Sequence, residues 1–362
     1  MVPSYYLFKY PYTLAWHILH RLGKTEGVVL YCANTLDYQI FAPIQKYLKP
    51  LPVVAKDKKA QRELAAIGVN ARRLPSFPDG VIMCRQAAYR FPARAVRKIG
   101  VSHGAYNFKP FASAESHNLL DRYFMTSRTD VENARKTGIR SAFAVGYPKL
   151  DPAFDGTYDA AFCEEFRDRI GLDKNKKTLL FTATWDKSGQ SAVAQWADKL
   201  APFTTRYNVM VTVHPWTSAQ YVEQIRNTPG VLFIDTADVI PYIMQADLCI
   251  GDTSSILGEC CALDKPMITF KVPPNKRTVP HVHEMIRDFS LQIDDATQLA
   301  DAIEHCLAHP QERQAQRAAA NRIMFDTLDG RAGERAAAEI LRFFPQLALN
   351  DKPIGTTPPP AP

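Results

Sequence analysis

Short runs of apolar and β-branched residues alternate with amphipathic stretches along almost the whole chain. In the first half these runs lie at residues 28–32, 52–54, 81–84, 99–102 and 143–146. Stretches with helical periodicity, such as residues 38–48 and 59–67, separate them. This order is typical of a parallel sheet whose strands are joined by crossover helices. The pattern therefore predicts an α/β fold.

The series of strands starts again after Gly146-Tyr147-Pro148, which interrupts the chain. A helical stretch at residues 159–170 comes first. Five more apolar runs follow, at residues 178–182, 209–213, 231–234, 248–251 and 266–270. A chain of 362 residues is long enough for two hydrophobic cores. The restart therefore predicts two Rossmann-like domains.

We place the first domain at residues 1–148 and the second at residues 149–348. A last helix at residues 334–344 is expected to cross back to the first domain. Residues 349–362 are rich in proline and contain little that a core can bury, so we expect a disordered tail there.

The chain carries a formal net charge of +7. Two interpretations stay open, namely an ordinary mildly basic protein or a basic face that meets an anionic substrate or membrane surface. One candidate face consists of Arg85, Arg90, Arg94, Arg97 and Lys98. No RNA- or DNA-binding motif accompanies the charge, so a nucleic acid is not expected as a partner.

The seven cysteines are scattered and form neither a CxxC pair nor a Cys/His spacing, which argues against disulfides and zinc. We therefore expect a reducing, cytoplasmic location. The beginning of the chain lacks the pattern of a signal peptide, and no apolar run approaches the ~20 residues that span a bilayer. Aromatic residues are dense at residues 5–18. They predict either peripheral contact with the inner face of the membrane or, as we favour, a helix packed on the domain.

Two histidines each follow an apolar run directly. Residues 101–104 read Val-Ser-His-Gly, where Gly104 allows a tight turn after His103 and the close approach of a ligand, which makes Gly104 a candidate donor- or phosphate-binding residue. Residues 211–215 read Val-Thr-Val-His-Pro and present His214 in the same way. Ligands of open α/β sheets bind at the carboxyl ends of the strands. Each imidazole can therefore act as a general base or bind phosphate there, and simple capping of the strand end is the alternative.

A third strand end is rich in hydroxyl groups. Residues 246–255 read ADLCIGDTSS and lead into a predicted helix at residues 256–263. We expect Thr253 or Ser254 to cap this helix, so that the next N–H groups and the helix dipole can hold an anion. An ordinary capped helix is the alternative. The candidate phosphate-binding residues here are Asp252, Thr253, Ser254 and Ser255.

Two further stretches carry weaker signals. Residues 181–186 read Phe-Thr-Ala-Thr-Trp-Asp. Thr184 is a candidate donor- or phosphate-binding residue in the lining of the cleft, with a plain strand-to-helix turn as the alternative. Residues 281–284 read His-Val-His-Glu but lack a third spaced ligand, so we expect no metal and no cofactor. A loop that passes near the nucleotide is the favoured interpretation of that stretch.

These motifs, taken in order between residues 99 and 307, resemble the CDP-glycerol glycerophosphotransferase family, which builds polyol phosphate polymers similar to teichoic acid. The stretches that carry the resemblance are VSHG, YFMTSRTD, AVGYPKLD, LLFTATWDKSG, VTVHP and ADLCIGDTSSILGECCALDKPMITF. The resemblance implies a GT-B architecture, in which the first domain binds the acceptor and the nucleotide lies in the cleft between the domains. Residues 1–98 show no such motif.

The resemblance further implies a phosphotransfer without an obligatory metal. A hydroxyl of a glycan or lipid-linked acceptor attacks the polyol-bearing phosphorus of a CDP-activated donor, and CMP leaves. His103 is then the general base, while His214 and the Thr253–Ser255 turn hold the donor phosphates. Glu259 is expected to reach a ribose or polyol hydroxyl.

Two other classes of function stay open. A GT-B enzyme that transfers a sugar, or a UDP-N-acetylglucosamine 2-epimerase, shares the Ser-Ser helix start and the carboxylate that follows it. A binding protein with a degenerate site, acting in polysaccharide assembly, is the second. The presence of both His103 and His214 argues against a degenerate site.

Overall fold

A computed structural model describes residues 3–105, 113–275 and 279–349. Its strands all belong to two parallel sheets. The first sheet contains β1 (Val28–Cys32), β2 (Val53–Ala55), β3 (Ala71–Arg73), β4 (Gly80–Met83), β5 (Arg97–Val101), β6 (Arg122–Met125) and β7 (Ala142–Ala144). The second contains β8 (Thr178–Ala183), β9 (Asn208–Val213), β10 (Val231–Phe233), β11 (Leu248–Gly251), β12 (Met267–Phe270) and β13 (Leu291–Ile293).

Helices connect most of the successive strands and pack on the sheets. In the first domain they are α1 (Pro3–Arg21), α2 (Thr35–Gln45), α3 (Lys58–Ala66), α4 (Ala114–His117) and α5 (Arg128–Lys136). After them come α6 (Ala160–Arg169), α7 (Val193–Trp196), α8 (Ala201–Thr204), α9 (Ala219–Arg226), α10 (Ile240–Gln245), α11 (Ile256–Ala262), α12 (Pro280–Phe289), α13 (Leu299–Ala308), α14 (Gln314–Phe325) and α15 (Ala332–Phe343).

The strand orders are those of two Rossmann-like units. The first sheet runs β3-β2-β1-β4-β5-β6-β7 and the second β10-β9-β8-β11-β12-β13. In each sheet the chain builds outward to one side and then returns to the centre to build the other side. The predicted fold class is therefore confirmed. The three strands that the sequence analysis missed are β3, β6 and β13, each of only three or four residues.

Three hydrophobic clusters hold the layers together. One covers a face of the first sheet and another a face of the second. The third is continuous between the domains and includes Phe41, Leu257, Phe325 and Phe344. Because one cluster spans both domains, their relative placement depends on a shared apolar core.

The last helix, α15, packs on the first domain as predicted. Its N-terminus is held by Asp151, whose carboxylate accepts hydrogen bonds from the N–H groups of Ala332 and Gly333 at 3.1 and 2.6 Å. Further along, Glu339 accepts from Nε of Arg122 at 2.9 Å. Asp151 lies in the 3₁₀-helix Pro148–Ala153. The domain boundary predicted at residue 148 falls at the start of this helix and stays a prediction. Apart from Leu349, which is exposed, the predicted tail at residues 349–362 lies outside the described residues.

Helix α1 has two apolar sides. Tyr12 and Trp16 are buried against the first domain, where they donate hydrogen bonds to the carbonyl oxygens of Ser76 and Pro78, both at 2.7 Å. On the outer side, large apolar side chains remain exposed, namely Leu7, Phe8, Tyr10, Leu14 and Ile18. Within the described residues, no helix is long and apolar enough to cross a membrane.

Candidate active site

The carboxyl ends of the two sheets meet at Gly104 and Ser255. Gly104 follows β5 of the first domain, and Ser255 follows β11 of the second. A Cβ atom placed on Gly104 would lie 3.8 Å from Cβ of Ser255, which is ordinary van der Waals contact. The strand end that carries His103 therefore lies beside the turn that was predicted to hold phosphate.

His103 is half-buried in a turn that its neighbours hold in place. The hydroxyl of Ser102 donates to the carbonyl oxygen of Gly104 at 3.0 Å, and that of Tyr147 donates to the carbonyl oxygen of His103 at 3.4 Å. The backbone around the imidazole is thus fixed both from its own strand end and from the segment that links the domains.

His214 lies beyond the end of β9, two strands away from β11. Since neighbouring strands are about 4.8 Å apart, roughly 10 Å separates the two strand ends. Its Nδ1 accepts a hydrogen bond from the N–H of Trp216 at 3.1 Å, so the neutral ring carries its proton on Nε2. The rings of Trp185 and Trp216 pack edge to face near it, with centroids 5.5 Å apart.

Asp252 organises the turn after β11. Its buried carboxylate accepts from the N–H groups of Thr184 at 3.0 Å, Ala192 at 2.9 Å, Thr253 at 2.5 Å and Ser254 at 3.0 Å. Burial raises the pKa of Asp252, and these backbone hydrogen bonds oppose the rise. Asp252 thereby joins the ends of β8 and β11. These contacts favour a positioning role over the direct donor contact that we expected.

The prediction that Thr253 or Ser254 caps α11 is wrong. Ser255 occupies the N-cap position, and its side chain makes no capping hydrogen bond. The hydroxyl of Thr253 donates instead to the carbonyl oxygen of Gln190 at 3.1 Å. Among the described residues, none accepts a hydrogen bond from the N–H of Ser255 or Ile256. The side chain of Ser255 is exposed at the cleft.

Glu259 lies buried behind this turn, in a cluster with Lys149 and Tyr147. Its Oε1 accepts from Nζ of Lys149 at 2.8 Å and lies 3.3 Å from the hydroxyl oxygen of Tyr147, whose one proton is shared with the carbonyl oxygen of His103. Its Oε2 is also buried and has no hydrogen-bond partner among the described residues. Burial and the Glu259 carboxylate together raise the pKa of Tyr147. In this structure Glu259 is therefore bound to the interdomain segment.

A family model matches most of the second domain and part of the first. The model of the family described as CDP-glycerol:poly(glycerophosphate) glycerophosphotransferase matches residues 112–342, more than half of the chain. The chain belongs to this family. Membership confirms the resemblance that the sequence motifs indicated.

Characterised relatives of the family match over parts of their length. The teichoic acid ribitol-phosphate polymerases TarK and TarL of Staphylococcus aureus are 28% and 27% identical over 190 residues, which is 49% of this chain. The teichoic acid poly(ribitol-phosphate) polymerase of Bacillus spizizenii is 26% identical over 251 residues, or 64% of this chain. These matches cover 36%, 33% and 37% of the relatives, so the chain spans about a third of their length.

Solved structures share the fold. The wall teichoic acid polymerase TagF superposes with a TM-score of 0.68 at 15% identity, covering 94% of this chain and 98% of that one. The Staphylococcus aureus MnaA–UDP structure gives a TM-score of 0.62 at 15% identity, covering 91% of this chain and all of the other. The GT-B-type arrangement of two Rossmann-like domains is therefore shared with both.

Lys149 and Tyr147 belong to the site although the sequence analysis assigned them no role. Both lie in the Gly-Tyr-Pro-Lys stretch that carried part of the family resemblance, so a signal was present. Nothing in the sequence indicated that the lysine would pair with a carboxylate more than 100 residues away, since that contact depends on how the domains pack.

Two other expectations need correction. The five basic residues at positions 85–98 do not form one basic face, because Lys98 is buried and its Nζ donates to the carbonyl oxygens of Ala93 and Val96. Burial lowers the pKa of Lys98 to about 8. The stretch 281–284 lies in α12 and not in a loop, with Nε2 of His283 3.2 Å from Nε2 of Gln190. The described residues contain no group of three metal-ligating side chains.

Proposed function

We propose that the protein transfers a polyol phosphate, with glycerol phosphate as the first candidate, from a CDP-activated donor to a hydroxyl of a cell-surface glycan or lipid-linked acceptor. CMP is the second product. Membership of the glycerophosphotransferase family supports the class of reaction. The proximity of Gly104 to Ser255 supports the location, because the strand end of the candidate base lies beside the candidate phosphate turn.

The proposed step exchanges one phosphorus–oxygen bond for another. The acceptor oxygen forms a bond to the polyol-bearing phosphorus while His103 takes the hydroxyl proton. The bond from that phosphorus to the bridging oxygen breaks, and CMP leaves with the electron pair. Phosphoryl transfer depends mainly on positioning and on neutralisation of charge, so a general base and well-placed donors are suited to it.

We assign the donor phosphates to the second domain. The Nε2–H group of His214 and the N–H and hydroxyl groups of Ser255 are suitable donors for them. Thr184 and Thr253 support this turn, since Asp252 binds the N–H of both. Glu259 remains a candidate for a ribose or polyol hydroxyl through Oε2, provided that the cleft opens enough to expose this buried atom.

A donor screen tests this proposal. The purified protein is incubated with CDP-glycerol, CDP-ribitol and UDP-sugars in the presence of a polyol-phosphate acceptor, and free CMP and UDP are measured. We expect CMP from a CDP-polyol and no UDP. Release of UDP alone would instead favour the sugar-transferring function.

We further infer that the protein docks on the inner, cytoplasmic face of an anionic membrane through α1. The outer side of this helix exposes Leu7, Tyr10, Leu14 and Ile18, with 78, 65, 63 and 51% of each residue accessible. The helix contains no acidic residue, and Arg21 is exposed at its end. Apolar and aromatic side chains with neighbouring cations are the features of helices that lie in a membrane interface. A lipid-linked acceptor would be reached from such a position.

Vesicle sedimentation tests the docking. We expect the protein to sediment with phosphatidylglycerol vesicles and much less with phosphatidylcholine vesicles. The variant Leu14→Glu/Ile18→Glu should lose binding, because two charges enter the apolar side. A matched variant, Glu304→Leu on the exposed surface of α13, should sediment as the wild type does. Equal sedimentation of the α1 variant and the wild type would contradict docking through α1.

A further inference from the structure

The first sheet has its topological switch point between β1 and β4. The chain passes from β1 outward through β2 and β3, and β4 then returns to the other side of β1. In open α/β sheets, ligands bind in the crevice outside the carboxyl ends of the two strands at this point. Asn34 follows β1 here and Arg85 follows β4. The sites discussed so far leave this crevice unused.

Arg85 is held in this crevice by a buried carboxylate. Its Nε donates to Oδ1 of Asp37 at 3.0 Å, and Asp37 is fully buried while 35% of the arginine side chain is exposed. The second oxygen of Asp37 accepts from the N–H of Ala33 at 2.7 Å. Burial raises the pKa of Asp37, and the Arg85 charge is the strongest influence against that rise. The aspartate thus orients the guanidinium through one nitrogen.

The outer part of the guanidinium is available for a ligand. Among the described residues, none accepts a hydrogen bond from the two terminal nitrogens of Arg85. An arginine that is anchored through Nε presents these nitrogens as a fork, which matches two oxygens of one phosphate. A cation whose stem is already fixed also loses little side-chain entropy when it binds.

Arg85 lies beside the candidate base. Met83 of β4 pairs with Gly100 of β5, so Arg85 is level with Ser102, one residue before His103. Neighbouring strands are about 4.8 Å apart, which places both residues at one end of the cleft. The positive charge of Arg85 also opposes the rise that burial causes in the pKa of the Tyr147 hydroxyl, and this hydroxyl donates to the backbone of His103.

We propose that Arg85 binds a phosphate group of the acceptor, a few bonds from the hydroxyl that His103 activates. This inference rests on the proposed transfer reaction, and it names the class of acceptor. The acceptor carries a phosphate monoester or diester close to its attacking hydroxyl, as the end of a polyol phosphate chain or a phosphorylated lipid does. The donor phosphates bind separately on the second domain.

Binding measurements without turnover test this subsite. Calorimetric titration with glycerol 3-phosphate and, separately, with CDP is carried out on the wild type, Arg85→Gln and Arg97→Gln. Arg97 is the matched control, because it is also an arginine paired with one carboxylate, Asp121. It is exposed at the amino ends of the strands of the same sheet, away from the cleft. We expect Arg85→Gln to weaken glycerol 3-phosphate at least tenfold and to leave CDP affinity unchanged. Arg97→Gln should change neither.

Three results of the phosphate titrations would overturn the proposal. They are absence of glycerol 3-phosphate binding to the wild type, equal affinity in Arg85→Gln, and an equal loss in Arg97→Gln. A loss of CDP affinity in Arg85→Gln would also overturn it, since the arginine would then serve the donor. If Arg85→Gln does not fold, Arg85→Lys decides, because lysine keeps the charge but has no fork. Unchanged phosphate affinity in Arg85→Lys would then reject the guanidinium site.

Phosphatidylglycerol vesicles distinguish the two sources of phosphate. If Arg85→Gln weakens soluble glycerol 3-phosphate but not vesicle binding, the phosphate belongs to a polyol chain. If it weakens vesicle binding as well, the subsite accepts a lipid headgroup. The proposed reaction fails separately, through the absence of both CDP binding and CMP release in the wild type, while phosphate binding that depends on Arg85 would persist.

Discussion

Nζ of Lys149 lies 2.8 Å from Oε1 of Glu259, and only 5% and 7% of the two side chains are exposed. Lys149 belongs to the segment that links the domains, and Glu259 belongs to α11, which begins at the cleft. The hydroxyl of Tyr147 reaches both Glu259 and the backbone of His103. The interdomain segment therefore joins the candidate base of the first domain to the candidate phosphate turn of the second.

Removal of one partner from this buried pair should be costly. We expect Lys149→Met to lower the free energy of unfolding by about 3–5 kcal/mol, because an uncompensated carboxylate stays buried. The double variant Lys149→Met/Glu259→Leu should be less destabilised than the single one. Guanidinium denaturation measures both, and Arg206→Met, at an exposed pair with Glu304, should leave stability nearly unchanged. A double variant less stable than the single would contradict this account.

His103→Ala should abolish most activity without loss of the fold. Loss of a general base typically lowers a rate by roughly 10²–10⁴-fold. The rate of CMP release and the thermal melting curve are measured together, with His309→Ala, an exposed position at the end of α13, as the control. Near-normal turnover in a folded His103→Ala protein would remove this residue from the mechanism.

His214→Ala should weaken both donor binding and turnover, since a phosphate contact serves the ground state and the transition state alike. A hydrogen bond to a charged group contributes about 1.5–3 kcal/mol, so CDP affinity should fall by about ten- to a hundredfold. Calorimetry with CDP and the rate of CMP release are the measurements. If both values match those of the wild type, the histidine only supports the loop that contains Trp216.

Asp252→Asn should disturb the phosphate turn as well as stability. In the wild type, both carboxylate oxygens of Asp252 accept hydrogen bonds from backbone N–H groups, whereas the asparagine amide has only one acceptor oxygen. Each buried N–H group left unpaired costs about 1–3 kcal/mol. We expect a lower melting temperature and weaker CDP binding. Asp247→Asn, at the other end of β11, is the control, because Asp247 accepts from the N–H of Thr178 far from the cleft. Equal CDP affinity in both variants would reject the positioning role.

Asp130 should make stability depend on pH. Burial raises its pKa to about 7, although a hydrogen bond from Thr126 opposes the shift. Between the unfolded pKa and about pH 7 the native state holds a proton that the unfolded state has released. The stability that Asp130 contributes is therefore complete below the unfolded pKa and is lost as the pH rises towards 7. Between pH 4 and about 8, the free energy of unfolding should decrease less in Asp130→Asn than in the wild type. Parallel urea-unfolding profiles for the two proteins would contradict this.

Much of the fold could be predicted because local patterns encode it. Runs such as residues 28–32 and 248–251 are apolar on both faces, which suits strands in the middle of a parallel sheet, and they coincide with β1 and β11. Strands β3 (Ala-Arg-Arg) and β13 (Leu-Gln-Ile) escaped prediction because neither is a continuous apolar run. The interior strand β6 was also missed, although its last three residues are buried.

The sequence by itself determined which residues end the strands, because hydrophobic periodicity is a local property of the chain. His103, His214 and the hydroxyl residues at 253–255 could be placed at strand ends for that reason. Only the tertiary structure decided their partners. Asp252 binds the backbone N–H groups of its own turn, Glu259 pairs with Lys149, and Asp37 orients Arg85. These choices join residues up to 110 positions apart, and they depend on how sheets, helices and domains pack.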